Sequence, residues 1–296
     1  MYMIKKAVIP AAGMGTRMLP LTKAQPKEML PLGRKPCIQY IVEELASVGV
    51  EQILFITGHK KRAIEDHFDK DNELSRILSL SGQQELLEEL KFEDASITYF
   101  YTRQSIPAGL GHAISCARDF VGDEPFIIAL GDSIIFSREN RILLRRMLDV
   151  YEQHENSFVI GTRNVPLESV HRYGIIEPLG DSRDGITQIR DLVEKPAMQN
   201  APSTLAVAAR YIMPGRIFDA LSRTSPGRGG EIQLTDGIRL LLKEGMTGYA
   251  VNLTDREKRY DIGNFQSYYE AFVDFALNDE KYGYQLKQYI IKSLNL

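Results

Sequence analysis

The stretch Ala7–Leu30, AVIPAAGMGTRMLPLTKAQPKEML, holds the first residues whose types and spacing could do chemistry. An apolar strand, Ala7-Val8-Ile9-Pro10, runs into a turn containing Gly13 and Gly15, and the cations Arg17, Lys23 and Lys27 follow. Glycines let a backbone turn sharply and approach a ligand closely. The free N–H groups of such a turn suit phosphate oxygens, and the cations supply countercharge. The pattern reads as a triphosphate cradle on the end of a buried strand; it also fits an ordinary strand–helix turn with a solvated basic face. Two commoner phosphate motifs are excluded. The third position of G-x-G-x-x-G is Met18, and no G-x-x-x-x-G-K-[ST] occurs.

Four further groups of residues carry chemical promise. In Arg103–Ala113, RQSIPAGLGHA, Gln104 offers a donor and an acceptor to a pyrimidine edge, and Gly109 and Gly111 permit close approach to a flat base. A loop glutamine and a helix-capping glycine turn would look the same, and His112 reads as a structural histidine opening a helix. Asp132 follows the apolar run Phe126–Leu130. A carboxylate just after a buried strand is where magnesium chemistry usually sits, though turn aspartates sit there too. In Val193-Glu194-Lys195-Pro196, downstream of Tyr173-Gly174, a carboxylate can accept from two sugar hydroxyls and a lysine can neutralise a sugar phosphate. Alone, that tetrapeptide equally marks a solvated turn. Gly227–Asp236, GRGGEIQLTD, has polar residues placed to cap the helix after it.

The elements that must position these residues follow from hydrophobic periodicity. Strands are expected at Ala7–Pro10, Ile53–Thr57, Ile97–Tyr101 and Phe126–Leu130. Between them helices are expected at Pro36–Val48, near Lys61–Phe68, over Leu74–Leu90 and over Gly111–Arg118. Strands alternating with helices predict an α/β fold with a Rossmann-like, doubly wound and mainly parallel mixed sheet. Runs without polar alternation fit strands covered on both faces. Beyond about residue 157 the texture changes. Strands at Phe158–Thr162, Gly174–Glu177, Ile186–Val193, Ala206–Met213 and Gly248–Asn252 alternate with Gly/Pro-rich links and with helices near Ile217–Leu221 and Leu234–Lys243. A helical tail, Phe265–Leu296, closes the chain. The expected division is a domain of residues 1–264, with halves 1–156 and 157–264, and the tail 265–296.

Composition narrows the function. The chain has 296 residues, 44% hydrophobic and 25% charged, with a net charge of −3, so no bulk basicity advertises nucleic acid. Its two cysteines, Cys37 and Cys116, form no C-x-x-C and cannot define a disulfide framework, which predicts a reducing cytoplasm. The apolar stretch after Lys5 and Lys6 breaks at Pro10. No signal peptide and no membrane span of about 18 apolar residues is expected.

The motif G-x-G-T-R-x4-T-K-x2-P-K resembles the signature of sugar-1-phosphate nucleotidylyltransferases. Its ending P-K-E-M-L-P, Pro26–Pro31, resembles the bacterial UTP–glucose-1-phosphate uridylyltransferases. The resemblance runs from Lys5 to Phe275. It implies uridylyl transfer from UTP to glucose 1-phosphate in a magnesium-dependent in-line displacement, with thymidylyl transfer from dTTP as the alternative. It assigns the nucleotide to Ala11, Ala12, Gly13, Gly15 and Thr16, the base to Gln104 and Gly109, and phosphates to Arg17 and Lys27. It assigns glucose to Gly174 and Glu194, the sugar phosphate to Lys195, and magnesium to Asp132 and Asp261. No nucleic-acid or membrane partner is implied; a homodimer or homotetramer is, and the apolar stripes of the tail fit either packing on the core or an oligomer contact. The absence of hexapeptide repeats removes the β-helix domain of bifunctional relatives. Four positions depart from the pattern. Ser133 stands where many relatives carry a second acid, Ser203-Thr204-Leu205-Ala206 replaces S-N-L-A, Ala209 stands before Arg210-Tyr211 where glycine is frequent, and Phe265 replaces a lysine. A dinucleotide-dependent dehydrogenase is disfavoured by Met18. A non-catalytic sensor should have lost a phosphate or metal residue, and Arg17, Lys27, Asp132, Lys195 and Asp261 are all present.

Overall fold

The short apolar runs form strands buried on both faces. The structure, a computed structural model, describes residues 4–94, 96–137 and 142–294. In chain order its strands are β1 (Lys6–Ala11), β2 (Pro31–Leu32), β3 (Lys35–Pro36), β4 (Gln52–Thr57), β5 (Thr98–Arg103), β6 (Phe126–Ala129), β7 (Ser133–Ser137), β8 (Ser157–Asn164), β9 (Gly174–Pro178), β10 (Ile186–Glu194), β11 (Leu205–Met213), β12 (Thr247–Asn252) and β13 (Glu257–Asp261). Nine make one sheet in the order β5-β4-β1-β6-β11-β8-β12-β10-β9. Side chains alternate across each strand. Ile9, Phe55, Ile127 and Val159 therefore face one core, shared with helices Cys37–Ser47 and Leu143–Gln153. Val8, Leu54, Ile128 and Ile160 face another, shared with helices Leu110–Ser115, Ile217–Ser222 and Leu234–Lys243.

The sheet is mixed rather than mainly parallel. β5, β4, β1 and β6 are parallel neighbours, as are β8 and β12. β11 pairs antiparallel with both β6 and β8, and β10 pairs antiparallel with both β12 and β9. No α-helix follows the glycine turn directly. Only the single 3-10 turns Thr16–Met18 and Lys27–Met29 intervene before the short β2–β3 hairpin, and the first α-helix begins at Cys37. Pro20, Pro26, Pro31 and Pro36 explain this, since proline lacks a donor and drives the residue before it out of the helical region. Met18 is fully buried in the core under the loop, an anchor where a dinucleotide fingerprint would need a third glycine.

Other expectations shift locally. The single helix expected over Leu74–Leu90 is two, Asn72–Leu80 and Gln84–Glu89, interrupted at Gly82. The tail likewise divides into Phe265–Leu277 and Gly283–Leu294. The β7–β13 ribbon was not expected at all. It pairs Asp261 with Ser133, and Ile262 N–H donates to the Asp132 carbonyl at 2.8 Å, which brings the two segments carrying the predicted metal ligands together.

Candidate active site

The site opens at the C-terminal ends of β1, β4, β5 and β6, where ligands of open α/β sheets bind. Gly15 has φ 68°, a left-handed conformation natural only to glycine, and Thr22 Oγ1 donates to its carbonyl at 2.8 Å to pin the loop. Lys27 reaches back beneath this loop, and its Nζ meets Asp132 Oδ2 at 2.5 Å. Burial works against the charge on Lys27. The carboxylate of Asp132, helped by Glu28 and Asp261, outweighs it and holds the ammonium above the ordinary lysine value. Burial also works against Asp132, yet Lys27 and then Arg259 hold it below the usual carboxylate range. The pair is therefore ionised. Arg17 lies on the same side: a Cβ at Gly263 would stand 2.6 Å from Arg17 Nη2 and 2.7 Å from Asp261 Oδ1.

Two hollows share a wall. The first is lined by Ala12, Gly13, Lys27, Glu28, Gln104, Gly109 and Asp132, and the second by Gly174, Glu194, Lys195, Tyr211, Arg259 and Asp261. Leu110, Leu130 and Glu231 border both. The predicted nucleotide and sugar residues thus fall on opposite sides of one cleft. Gly15, Thr16 and Arg17 line neither hollow, and Ala11 is buried at the end of β1.

In the first hollow Gln104 is only 8% exposed. Its Nε2 donates to the Gly109 carbonyl at 3.0 Å and lies 3.0 Å from His112 Nδ1. His112 therefore fixes the amide, and Gln104 Oε1 is the atom left to meet a base. Gly109 and Gly111 have a further reason that the sequence did not show. A Cβ at either would stand 2.6–2.8 Å from the Ile232 carbonyl. Gly111 N–H donates to that carbonyl and Ile232 N–H to Ala108, each at 2.8 Å. The glycines admit the Gly227–Asp236 segment, which places Glu231 in the shared wall.

The same segment reaches the second hollow. Thr235 Oγ1 donates to Glu194 Oε2 at 2.7 Å, while Lys195 Nζ pairs with Glu194 Oε1 at 3.0 Å. Lys195 has φ 46°, and its N–H donates to the Tyr173 carbonyl at 2.9 Å. A left-handed lysine is a strained conformation held by its surroundings. Ala209, in the bulge of β11 where the register against β8 shifts, has φ 62°, which accounts for the glycine frequent at that place. Ser133, in place of a second acid, is fully buried and accepts from Arg259 Nε at 2.7 Å.

Sequence reasoning missed a buried ion pair beneath the cleft. Glu28 and Lys61 are 1% and 4% exposed, with Nζ and Oε2 2.6 Å apart. Burial pushes Glu28 up, against the pull of Lys61 and Lys27. The pair ties the Lys27 turn to the start of helix Arg62–Phe68, and the sequence signal was only a glutamate next to a motif lysine. As for a metal, no group of three His, Cys, Asp or Glu side chains converges among the described residues. Two aspartates on adjoining segments are a hard, all-oxygen set. That suits a cation which takes one or two carboxylates and fills its remaining positions with substrate phosphates and water, as magnesium does.

A nine-stranded mixed sheet with a cleft lined by Lys27, Lys195 and Arg259 at its strand ends is the architecture of an α/β enzyme. The nucleotidyl transferase family pattern matches residues 6–277, and the chain belongs to that family. It is 46% identical over 295 residues to the UTP--glucose-1-phosphate uridylyltransferase of Bacillus subtilis, covering 100% of this chain and 99% of that protein. It is 46% identical over 292 residues to UTP--glucose-1-phosphate uridylyltransferase 2 of Staphylococcus saprophyticus, covering 99% of each. Among solved structures it resembles a UTP-bound UGPase from Acinetobacter baumannii, with TM-score 0.89 and 35% identity over 98% of this chain and 99% of that one.

Proposed function

We propose that this chain transfers a uridylyl group from UTP to glucose 1-phosphate, giving UDP-glucose and pyrophosphate. The observation that carries the reading is the pair of adjoining hollows. Pyrimidine-edge chemistry sits in one together with the Lys27–Asp132 pair, and a carboxylate–lysine pair suited to a sugar phosphate sits in the other. Relatives at 46% identity across essentially the whole chain carry the uridylyltransferase name, which supports UTP over dTTP.

In this reading a sugar-phosphate oxygen attacks the α-phosphorus in line. The new P–O bond forms as the α–β bridging bond breaks, and pyrophosphate carries away the electron pair. No covalent enzyme intermediate is needed, so positioning and charge stabilisation supply the catalysis. Gln104 Oε1 accepts from the uracil N3–H, Gly109 borders the base, and the backbone of Ala11, Ala12, Gly13, Gly15 and Thr16 cradles the triphosphate. Arg17 and Lys27 take up charge on the departing pyrophosphate. Gly174 leaves room for the sugar ring, Glu194 holds its hydroxyls, and Lys195 neutralises the attacking phosphate. Asp132 and Asp261 would hold magnesium, which when bound neutralises phosphate charge. Residues 1–156 serve the nucleotide and 157–264 the sugar. The tail 265–296 is the contact of a homodimer or homotetramer, and the enzyme works in the cytoplasm. No described helix is long and apolar enough to cross a membrane.

Pyrophosphate release across a matrix of nucleoside triphosphates and sugar 1-phosphates tests this. UTP with glucose 1-phosphate should exceed every other pair. Comparable turnover with ATP, or a higher rate with dTTP, would overturn it.

A further inference from the structure

Three arginines gather on one tyrosine at the edge of the sugar hollow. The guanidinium carbons of Arg163, Arg172 and Arg259 stand 5.2, 5.7 and 5.7 Å from the centre of the Tyr173 ring, and Arg163 Nη2 donates to the Tyr173 hydroxyl at 2.9 Å. Arg172 is exposed at the rim, whereas Arg163 and Arg259 are partly buried. Among the described residues neither Arg163 nor Arg259 has a carboxylate within 4.0 Å, and Arg163 Nε and Arg259 Nη1 are buried without any acceptor. Such groups are rare in native proteins, because a buried donor without a partner loses its hydration and gains nothing. Here the shortfall is one of negative charge. The Arg259 and Arg163 charges repel each other, and burial followed by Arg259 depresses the Arg163 pKa.

The cluster is fixed to the site at several points. Arg259 lines the hollow beside Lys195 and Asp261. Its Nε is tethered to Ser133, next to Asp132, and the Tyr173 carbonyl accepts from Lys195 N–H. We propose that Arg259 is a second cation for the phosphate of the sugar 1-phosphate, in the same hollow as Lys195, with Tyr173 and Arg163 as positioning residues beside its guanidinium. A phosphate monoester carries two charges, more than one lysine shared with Glu194 can offset, and a planar guanidinium suits its geometry. Ser133 has its place in this scheme: an acid there would take Arg259 for itself, whereas a hydroxyl orients it and leaves its charge available.

The inference rests on the function proposed above, and the experiment separates the two. Arg259→Met, Arg259→Lys and Arg163→Met are titrated calorimetrically with glucose 1-phosphate and with UTP, after wild type, with unfolding temperatures measured alongside. Arg259→Met should weaken glucose 1-phosphate by 10-fold or more and UTP by less than 3-fold, and should flatten the salt dependence of sugar-phosphate binding. Arg259→Lys should recover part of the loss, and Arg163→Met should lose less than Arg259→Met. If Arg259→Met folds and binds glucose 1-phosphate as wild type does, or if UTP suffers the larger loss, the assignment is wrong. If Arg259→Met does not fold, Arg259→Gln takes its place, and wild-type glucose 1-phosphate affinity with a wild-type salt slope in that neutral variant overturns the proposal. Failure of wild type to bind glucose 1-phosphate overturns the parent reading; the same variants against the sugar phosphate that wild type does bind then test Arg259.

Discussion

Replacing Lys61 by methionine should destabilise the protein by an amount that depends on pH in a calculable way. Glu28 and Lys61 are 1% and 4% exposed and 2.6 Å apart, so the substitution strands a carboxylate in the interior. Removing one partner of such a pair costs about 3–5 kcal/mol. The stranded Glu28 has an escape, which is to take up a proton. From an ordinary value of about 4.3, neutralising a glutamate at pH 7 costs about 3.7 kcal/mol, so that figure caps the penalty. At pH 5 the same step costs only about 1 kcal/mol. The sign is that of an acid whose folded pKa is raised: the folded state binds the extra proton, and the deficit shrinks as pH falls towards the unfolded value. For a chain of this length roughly 2 °C accompanies each kcal/mol, so the unfolding temperature of Lys61→Met should fall by about 7 °C at pH 7 and about 2 °C at pH 5, relative to wild type. Scanning calorimetry or circular dichroism at both pH values provides the measurement. Glu28→Leu combined with Lys61→Met should recover to within about 1 kcal/mol, because apolar replacement of a whole buried pair is often neutral. A deficit equal at the two pH values, or below about 1 kcal/mol at pH 7, would refute the reasoning.

Three other outcomes are expected. Lys195→Ala should weaken glucose 1-phosphate while UTP binding survives, and Lys27→Ala should chiefly lower turnover, each losing on the order of 10²-fold in rate; calorimetric titration of both variants with both ligands checks the division. Thr235→Val removes the 2.7 Å bond that orients Glu194, worth about 1.5–3 kcal/mol for a bond to a charged group, so kcat/KM for the sugar phosphate should fall roughly 10- to 100-fold with KM for UTP unmoved. Ala209→Gly should leave the unfolding temperature level or raised, whereas Ala209→Val, a β-branched residue at φ 62°, should lose about 1–3 kcal/mol; thermal unfolding of the two variants side by side decides.

Much of this was legible in the sequence because it depends on local pattern. Gly15 at a positive φ, the buried run Phe126–Ala129 and the helix Cys37–Ser47 all follow from spacing alone. Partnerships made across the fold were not legible. The pairing of Glu28 with Lys61, the hold of Ser133 on Arg259 and the ribbon that brings Asp261 beside Ser133 join residues far apart in sequence, and no periodicity records them. The roles of Gly109 and Gly111 show a subtler failure. Close backbone approach was the right physical inference, and one partner that makes the approach, the Ile232 backbone, was not legible. The share of antiparallel pairing in the mixed sheet was missed for a similar reason. β11 carries the buried run Ala208, Ala209, Tyr211, Ile212 and Met213 around Arg210, and nothing in it records which way its neighbours run.

The placement of Lys27 explains why these cross-fold contacts matter to chemistry. Its ammonium is held by Asp132 and lies in the field of Asp261, and those carboxylates come from the strand end of β6 and the far end of β13. The backbone bond from Ile262 to Asp132 and the Ser133–Arg259 tether lock the same two segments to each other. A displacement of β13 would therefore move Asp261, Arg259 and the counter-charge of Lys27 together. The glycine loop and β1 lie on one side of this knot, and Tyr173 and Lys195 on the other. Cations and carboxylates are intermixed in both hollows instead of separating into a basic half and an acidic half. An arrangement of that kind suits two mutually repelling anions, because cations already stand in each hollow, Lys27 in the first and Lys195 and Arg259 in the second. The charge needed at the moment of reaction is already in place, and little reorganisation is left to occur.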